Sequence, residues 1–222
     1  MPREQTPSSA TGQARASGRP LCMAHWKIKH GDADVHGIGN QSILDQKYLG
    51  LICSVQCPGS VVIKTFDAIR ELRDAGITVA GGFHSPMEKE CLDFLLRGEQ
   101  PVIVVLAKGL GRPRLPEPWR VAIDAGRLLL LSPFRDDVRR TTKAHAQTRN
   151  EFVIARAAAV LIPHASPGGK AELIARNVLE RAQPLFTFED EESKGLLQLG
   201  ARPFDMDAIN RNLLDSVELE QT

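Results

Sequence analysis

Three stretches of the sequence combine glycine with small hydroxyl residues or with basic side chains, in a pattern that suits phosphate groups. Residues 53–60 (CSVQCPGS) follow an apolar run, residues 164–172 (HASPGGKAE) follow another, and Gly81-Gly82 comes just before His84. Glycine lets the backbone approach a ligand closely, and the free N–H groups at the start of a helix attract anions. We therefore expect the chemistry of this chain to be phosphate binding.

The turn at residues 164–172 has two interpretations. It follows an apolar run and opens a helix, so Gly168, Gly169 and Lys170 could hold an anion; alternatively it is an ordinary tight turn between a strand and a helix. A Walker A loop needs glycine and a hydroxyl residue where this chain has His164 and Ala171. With no hydroxyl to hold magnesium, we expect no nucleoside triphosphate hydrolysis.

The densest basic segment of the chain is residues 139–150 (RRTTKAHAQTRN). Facing solvent, it would be an ordinary helix surface. If Arg149 and Asn150 instead point to the strand ends, their guanidinium and amide groups could bind phosphate and base edges. His84 has a similar pair of interpretations, because it is placed for ligand contact but could equally be a loop histidine without a role.

Other site chemistries find little support in the sequence. The histidines and cysteines lack metal-ligand spacing, and no GxSxG or Ser/His/Asp pattern appears. The pairs Gly37-x-Gly39 and Gly109-x-Gly111 lack the strand–turn–helix context of a dinucleotide fingerprint. Glu88 and Glu172 both fall in the first turns of helices, where a carboxylate complements the helix dipole for structural reasons alone. We expect no metal and no cofactor.

Composition sets limits on the class of protein. The chain has 222 residues, 42% of them hydrophobic, and a net charge of +1, so any nucleic-acid binding must come from a local basic patch. No apolar run approaches the roughly 18 residues that span a bilayer, and no secretion signal is apparent. We therefore expect no membrane association, a cytoplasmic location and four reduced cysteines. A Cys53/Cys57 redox pair remains an alternative to simple packing near a strand end.

The elements that position these loops alternate between strand and helix. Residues 49–83 read as a strand, a Gly/Pro turn, an amphipathic helix with Ser60 as its N-cap, and a second strand. Similar alternation continues to about residue 187. It predicts the α/β class with a Rossmann-like, doubly wound and mainly parallel sheet, in which ligands bind beyond the carboxyl ends of the strands.

Composition shifts divide the chain into four parts. Residues 1–20 are rich in Ser, Pro, Gly and Ala and predict a disordered N-terminal arm. Residues 21–48 form an N-terminal extension without clear periodicity, and residues 49–190 form the Rossmann-type domain. Residues 191–222 are expected to be a C-terminal helical segment, with its last helix from Asp205 to about Leu214.

Taken in order, the motifs resemble those of the Rossmann-like domain of DNA-processing protein A (DprA, also called Smf), over residues 36–190. That family belongs to a wider group with the LOG-type nucleotide phosphoribohydrolases. The matching segments are GIGN (37–40) before the first strand, ICSVQCPGS in place of the phosphate loop GSRxxSxxG, VAGGFHSPMEKECLDFLL for SGxAxGIDxxAHxxAL, LLLLSPF for LLSExP, Arg149-Asn150 for RNR, and SPGGKAELIARNVLERAQPLFTF for SGSLxTAxxALxxGRxVFAxPG.

The chain departs from this family at three positions associated with gripping single-stranded DNA. Val55 stands where the phosphate loop of the family has arginine, Leu92 replaces a histidine, and Glu151 replaces the second arginine of RNR. The segment PGGKAE is closer to the PGGxGTxxE of LOG proteins, with Glu172 at the position of their glutamate. Transfer of the fold is therefore safer than transfer of function.

The resemblance implies a non-catalytic, divergent DprA-like protein that binds single-stranded DNA or a nucleotide, in DNA processing, uptake or recombination. It also implies RecA as a partner and a homodimer. The alternatives are a LOG-like nucleotide N-glycosidase, with Glu172 and Arg149 as catalytic candidates, and a nucleotide-sensing protein. The residues expected to bind phosphate are Ser54, Gln56, Gly59, Ser60, Lys64, Gly81, Gly82, His84, Arg149, Asn150, Ser166, Pro167, Gly168, Gly169 and Lys170.

Overall fold

A computed structural model describes the chain at residues 25–30 and 33–214. The predicted disordered arm at residues 1–20 and the end of the predicted C-terminal segment lie outside the described residues. The strands are β1 His25–His30, β2 Ala33–Ile38, β3 Leu49–Leu51, β4 Val79–Gly81, β5 Val102–Val105, β6 Leu128–Ser132, β7 Ala159–Leu161, β8 Leu185–Thr187 and β9 Arg202–Pro203. The α-helices are α1 Gly59–Asp74, α2 Pro86–Leu95, α3 Glu117–Asp124, α4 Lys143–Arg156, α5 Lys170–Glu180, α6 Lys194–Leu199 and α7 Met206–Leu214.

All nine strands lie in one sheet, in the order β1-β2-β6-β5-β4-β3-β7-β8-β9. The seven strands from β6 to β9 along this order are parallel, and β1 and β2 join the β6 edge in antiparallel register. The predicted α/β class with a doubly wound, mainly parallel sheet is therefore confirmed. The chain builds outward from β3 to β6 and then returns to the other side of β3 with β7. The crevice at such a reversal is where open α/β sheets bind ligands.

The central strands are buried on both faces, which explains their continuous apolar sequences. Every residue of β5 and β6 is buried. The helices supply the two covering layers. One core contains residues of α1, α2, α3 and α7, such as Ile69, Leu92, Ile123 and Ile209. The opposite core contains residues of α4, α5 and α6, such as Val153, Ile174 and Leu196.

An N-terminal hairpin extends the sheet where the sequence predicted only an extension without periodicity. In β1, His25, Lys27 and Lys29 are exposed, while Trp26 and Ile28 are partly buried. This alternation over two residues is typical of a strand with one face on the core. The histidines at both ends of the strand make the pattern hard to recognise in the sequence. The Trp26 indole N–H donates to the Gly39 carbonyl at 2.9 Å and fixes the hairpin to the turn that follows.

The first helix corrects one detail of the sequence analysis. Ser60 was expected to be the N-cap of α1, but the cap lies two residues earlier, at Pro58, which makes no side-chain hydrogen bond, and the helix begins at Gly59. The fixed φ of proline, here −57°, suits that position. The short helix α6 and the two-residue strand β9 were also not expected, whereas the last helix, predicted from Asp205, begins at Met206. Within the described part of the chain, no helix is both long and apolar enough to cross a membrane.

Candidate phosphate-binding cleft

A cleft of about 670 Å³ opens at the carboxyl ends of β3 and β7, where the strand order reverses. We call it the central cleft. Its walls are the loop after β3, the start of α2, the middle of α4 and the start of α5. Seven of the residues expected to bind phosphate line it: Ser54, Gln56, His84, Arg149, Asn150, Ser166 and Lys170. The structure thus brings together side chains that lie up to 116 positions apart in the sequence, Ser54 and Lys170 being the extremes.

Arg149 is the one buried basic side chain in the described part of the chain, with 7% of its surface exposed. Its Nε donates to the Asn150 side-chain oxygen at 2.8 Å. Among the described residues, no carboxylate lies within ion-pair distance of its guanidinium. Burial lowers the pKa of Arg149, and the charge of Glu88 partly opposes this shift. A buried cation without a partner is costly, so an anion in the cleft would offset that cost.

Gly82 explains how the Arg149 side chain fits there. A Cβ atom at position 82 would overlap the guanidinium group, so the arginine lies flat against the backbone just beyond β4. Only glycine leaves this space. The glycine that the sequence analysis assigned to close approach of a ligand therefore makes room for a side chain of the protein itself.

Glu88 has a structural role at the edge of the cleft. Its Oε2 accepts hydrogen bonds from the backbone N–H groups of His84 and Ser85, both at 2.9 Å, and its own N–H donates to the Ser85 hydroxyl at 3.2 Å. This reciprocal pair is a capping box at the start of α2. The Glu88 carboxylate is therefore held by the backbone.

The start of α5 forms the opposite wall. Gly169 occupies its N-cap position without a side-chain hydrogen bond, and Lys170 is exposed in the first turn. Glu172, in contrast, does not line the cleft, because its Oε2 accepts from the Gly168 N–H at 2.8 Å and its Oε1 accepts from Arg176 at 2.6 Å. These two hydrogen bonds, that of Arg176 first, lower the pKa of Glu172. A carboxylate held ionised outside the cleft is a poor proton donor for catalysis.

The remaining residues expected to bind phosphate do not line the central cleft. Lys64 is paired instead with Asp190 at 2.8 Å, on the outer side of α1. Gly59 and Ser60 form the first turn of α1, Gly81 is buried in β4, Gly82 packs under Arg149, and Pro167, Gly168 and Gly169 form the turn before α5. The cleft also has an apolar lining that was not predicted from the sequence, and it includes Ile52, Ala146, Ala171 and Ile174. Ala171 and Ile174 are three residues apart on one helix face, and this spacing was the available signal.

No group of three or more histidine, cysteine, aspartate or glutamate side chains in the described residues is arranged to hold a metal ion.

The cysteines near the cleft differ from those of a redox site. Burial raises the pKa of Cys53, Cys57 and Cys91, the last to about 12, and the charge of Glu88 raises each of them further. The Cys57 thiol donates to the Ser54 carbonyl.

We therefore predict that these three thiols react slowly in the folded protein. A raised pKa leaves less of the reactive thiolate, so alkylation by iodoacetamide at pH 8 should be slower than for the same cysteines in urea, by at least about tenfold for Cys91. Mass spectrometry of tryptic peptides after timed labelling measures this. Fast native labelling of Cys53 or Cys57, or a disulfide joining them, would show that the redox alternative is correct.

Comparison with solved structures shows which known proteins share this fold. DNA processing protein A from Helicobacter pylori, a protein that binds single-stranded DNA, superposes with a TM-score of 0.69 at 20% sequence identity, over 86% of this chain and 96% of that one. DprA from Streptococcus pneumoniae gives 0.65 at 17% identity, over 77% of this chain, which spans only 62% of the pneumococcal protein. The resemblance predicted from the order of motifs is thus confirmed at the level of the fold.

A more distant structure has the same kind of fold. The molybdenum cofactor carrier protein of Chlamydomonas reinhardtii matches with a TM-score of 0.53 at 11% identity, over 76% of this chain and 99% of its own. No protein-family model matches the sequence, and no curated protein matches it either. At these identities the comparisons establish a shared fold alone.

Proposed function

We propose that this protein is a divergent DprA-like protein that binds single-stranded DNA, without catalysis, through the phosphates held in the central cleft. The observation that carries the proposal is Arg149, a buried guanidinium that faces the cleft and has no carboxylate partner among the described residues. A guanidinium presents several N–H donors in a plane that matches two phosphate oxygens. An occupied cleft would give this cation the partner that the protein itself does not provide.

Further groups support a phosphate ligand at the same place. Lys170 adds positive charge at the rim, and Ser54 and Ser166 present hydroxyl groups on either side. The first N–H groups of α5 have no acceptor within the helix, which favours an anion there. His84 and Gln56 line the same cleft and would reach a sugar or base.

The nucleotide alternatives place different demands on the cleft. A LOG-like N-glycosidase needs an acid beside the bound mononucleotide. The carboxylate considered for such a role, Glu172, already accepts from the Gly168 N–H in the turn before α5. Glu88, the one carboxylate among the described residues that line the cleft, is held in a capping box. The geometry therefore favours a binding protein over an enzyme, and competition with mononucleotides distinguishes single-stranded DNA from a free nucleotide as the ligand.

Fluorescence anisotropy with labelled oligo-dT at two salt concentrations, with AMP and ATP as competitors, tests the proposal. We expect binding that weakens as salt rises and that mononucleotides do not displace. Lys170→Ala should reduce affinity about threefold, because an exposed cation contributes less than about 1 kcal/mol. Arg181→Ala, another exposed basic residue at the far end of α5, is the control and should leave affinity unchanged.

Displacement by AMP at concentrations near its own dissociation constant would instead identify the protein as a nucleotide binder. The same proposal includes a homodimer and a RecA partner, which the DprA resemblance implies, and a cytoplasmic location. Sedimentation velocity with and without oligo-dT tests the homodimer, and capture of purified RecA tests the partner.

A further inference from the structure

A second basic surface lies on the same edge of the sheet, away from the central cleft. The loop after β5 and the loop after β6 enclose a groove of about 860 Å³. Its lining includes Lys108, Arg112, Arg114 and Arg139, and we call this surface the basic groove. All four side chains are exposed, and in the described part of the chain none of them forms an ion pair. The proposed phosphate site makes no use of them.

The basic groove is held in shape by contacts between its two loops. The Gly109 N–H donates to the Val138 carbonyl at 2.8 Å, and the Ser132 hydroxyl donates to the Lys108 carbonyl at 2.8 Å. The single carboxylate in the lining, Asp136, accepts from the Gly111 N–H at 2.9 Å. Its role is therefore to join the loops, and positive charge prevails in the groove. Cations fixed on docked loops lose less conformational entropy on binding than cations on free loops do.

A cavity of about 470 Å³, which we call the connecting cavity, adjoins both the basic groove and the central cleft. It shares His84 and Arg149 with the central cleft and Lys108 with the basic groove. Trp119, half-buried at the start of α3, lines this connecting cavity. Aromatic faces of this kind are platforms on which successive bases of a single strand stack.

The three cavities follow the carboxyl ends of the strands from β3 towards β6. Adjacent strands are about 4.8 Å apart, so three spacings separate these ends by roughly 14 Å. A mononucleotide in the central cleft would not reach across this distance. A chain of several nucleotides would reach it, with its phosphates at both basic ends and its bases over Trp119.

We propose that the basic groove is a second phosphate-binding region for the same single strand, which enters the central cleft, crosses Trp119 and continues between the two arginine-bearing loops. This inference rests on the proposed function, because it assumes that the central cleft holds part of the strand. It adds the path of the strand across the protein and the minimum length of oligonucleotide that can occupy both sites. Oligonucleotides that fill only the central cleft should gain affinity once they are long enough to reach Arg112, Arg114 and Arg139.

The test compares oligo-dT of 4 and 12 nucleotides across a salt titration, using the full chain. We expect the longer oligonucleotide to bind more tightly and with a steeper dependence on salt. The triple variant Arg112→Gln/Arg114→Gln/Arg139→Gln should weaken binding of the 12-mer by about 10- to 100-fold and reduce the slope of log K against log salt by about 2, at about 0.7 for each phosphate contact. Binding of the 4-mer should stay unchanged, which also reports that the variant is folded.

The matched control removes three arginines elsewhere, as Arg70→Gln/Arg176→Gln/Arg202→Gln, and should leave the salt slope for the 12-mer unaltered. Equal loss in both triple variants, or equal displacement by duplex DNA of the same length, would overturn the proposal in favour of non-specific attraction. Equal slopes for the 4-mer and the 12-mer would overturn the basic groove alone. If neither the 4-mer nor the 12-mer binds, the proposed function is overturned as well.

Discussion

Arg149→Met is expected to weaken binding of oligo-dT by about 10- to 100-fold, because a hydrogen bond to a charged group contributes about 1.5–3 kcal/mol. The Arg149 guanidinium lies in the wall of the central cleft, and among the described residues it has one hydrogen bond, from Nε to Asn150. Its remaining donors are therefore available to a phosphate. Methionine is similar in length and apolar, so it fills the space but offers no donor. Anisotropy titrations at a fixed salt concentration give the ratio of affinities.

The same change should preserve or increase the stability of the free protein. Burial of a cation without a partner is unfavourable, and Arg149 is 93% buried, so an apolar replacement removes that cost. We expect the Tm of Arg149→Met to equal or exceed that of the parent. Arg176→Met, at an exposed arginine paired with Glu172, removes the same charge outside the cleft and should leave binding unchanged. Equal affinity in parent and Arg149→Met would remove the main support for the phosphate site.

Gly82→Ala is expected to reduce binding by about tenfold while the protein remains folded. The added methyl group would overlap the Arg149 guanidinium, which must move away from the strand end. Since the displaced group is the flexible end of a side chain, the backbone need not shift, and the loss should appear mainly in affinity. Gly195→Ala, where a Cβ meets open space on α6, is the matched control and should not affect binding.

A double-mutant cycle separates this explanation from a general disturbance of the cleft. If Gly82 acts only by making room for Arg149, adding Gly82→Ala to Arg149→Met should cause no further loss of affinity. Additive losses would contradict this coupling and would indicate a direct contact between the Gly82 backbone and the ligand. Thermal melts of all three variants provide the check on folding.

Much of the fold was predictable because its signals are local. The apolar runs of β5 and β6 and the glycine turns between elements indicate an alternating α/β chain, and the order of motifs indicates the family of folds. The hairpin of β1 and β2 was harder to predict, because His25 and Lys27 interrupt its apolar pattern and its partner strand β6 is about 90 positions away. Pairing between strands so far apart in the sequence depends on how the whole sheet assembles, so neither local sequence indicates it.

The candidate site was predictable in composition but not in arrangement. Arg149, Asn150 and Lys170 stood out as residue types, and the structure places all three in one cleft. The pairing of Lys64 with Asp190, across 126 positions, depends on how α1 packs and leaves no trace in either local sequence. In the same way, the hydrogen bonds of Glu172 depend on the turn before α5, so a motif alone could not separate a catalytic carboxylate from a structural one.

The two outer strands of the sheet have a consequence for the behaviour of the protein at high concentration. Strand β9 consists of Arg202 and Pro203, both exposed, and proline has no N–H to offer to a further strand. At the other end, β1 presents Lys27 and Lys29 among its exposed side chains. Short, charged or proline-bearing outer strands resist pairing with strands of other molecules, which is a common route to aggregation. The nine-stranded sheet therefore limits its own growth, and copies of this protein should associate through helices or loops rather than by continuing the sheet.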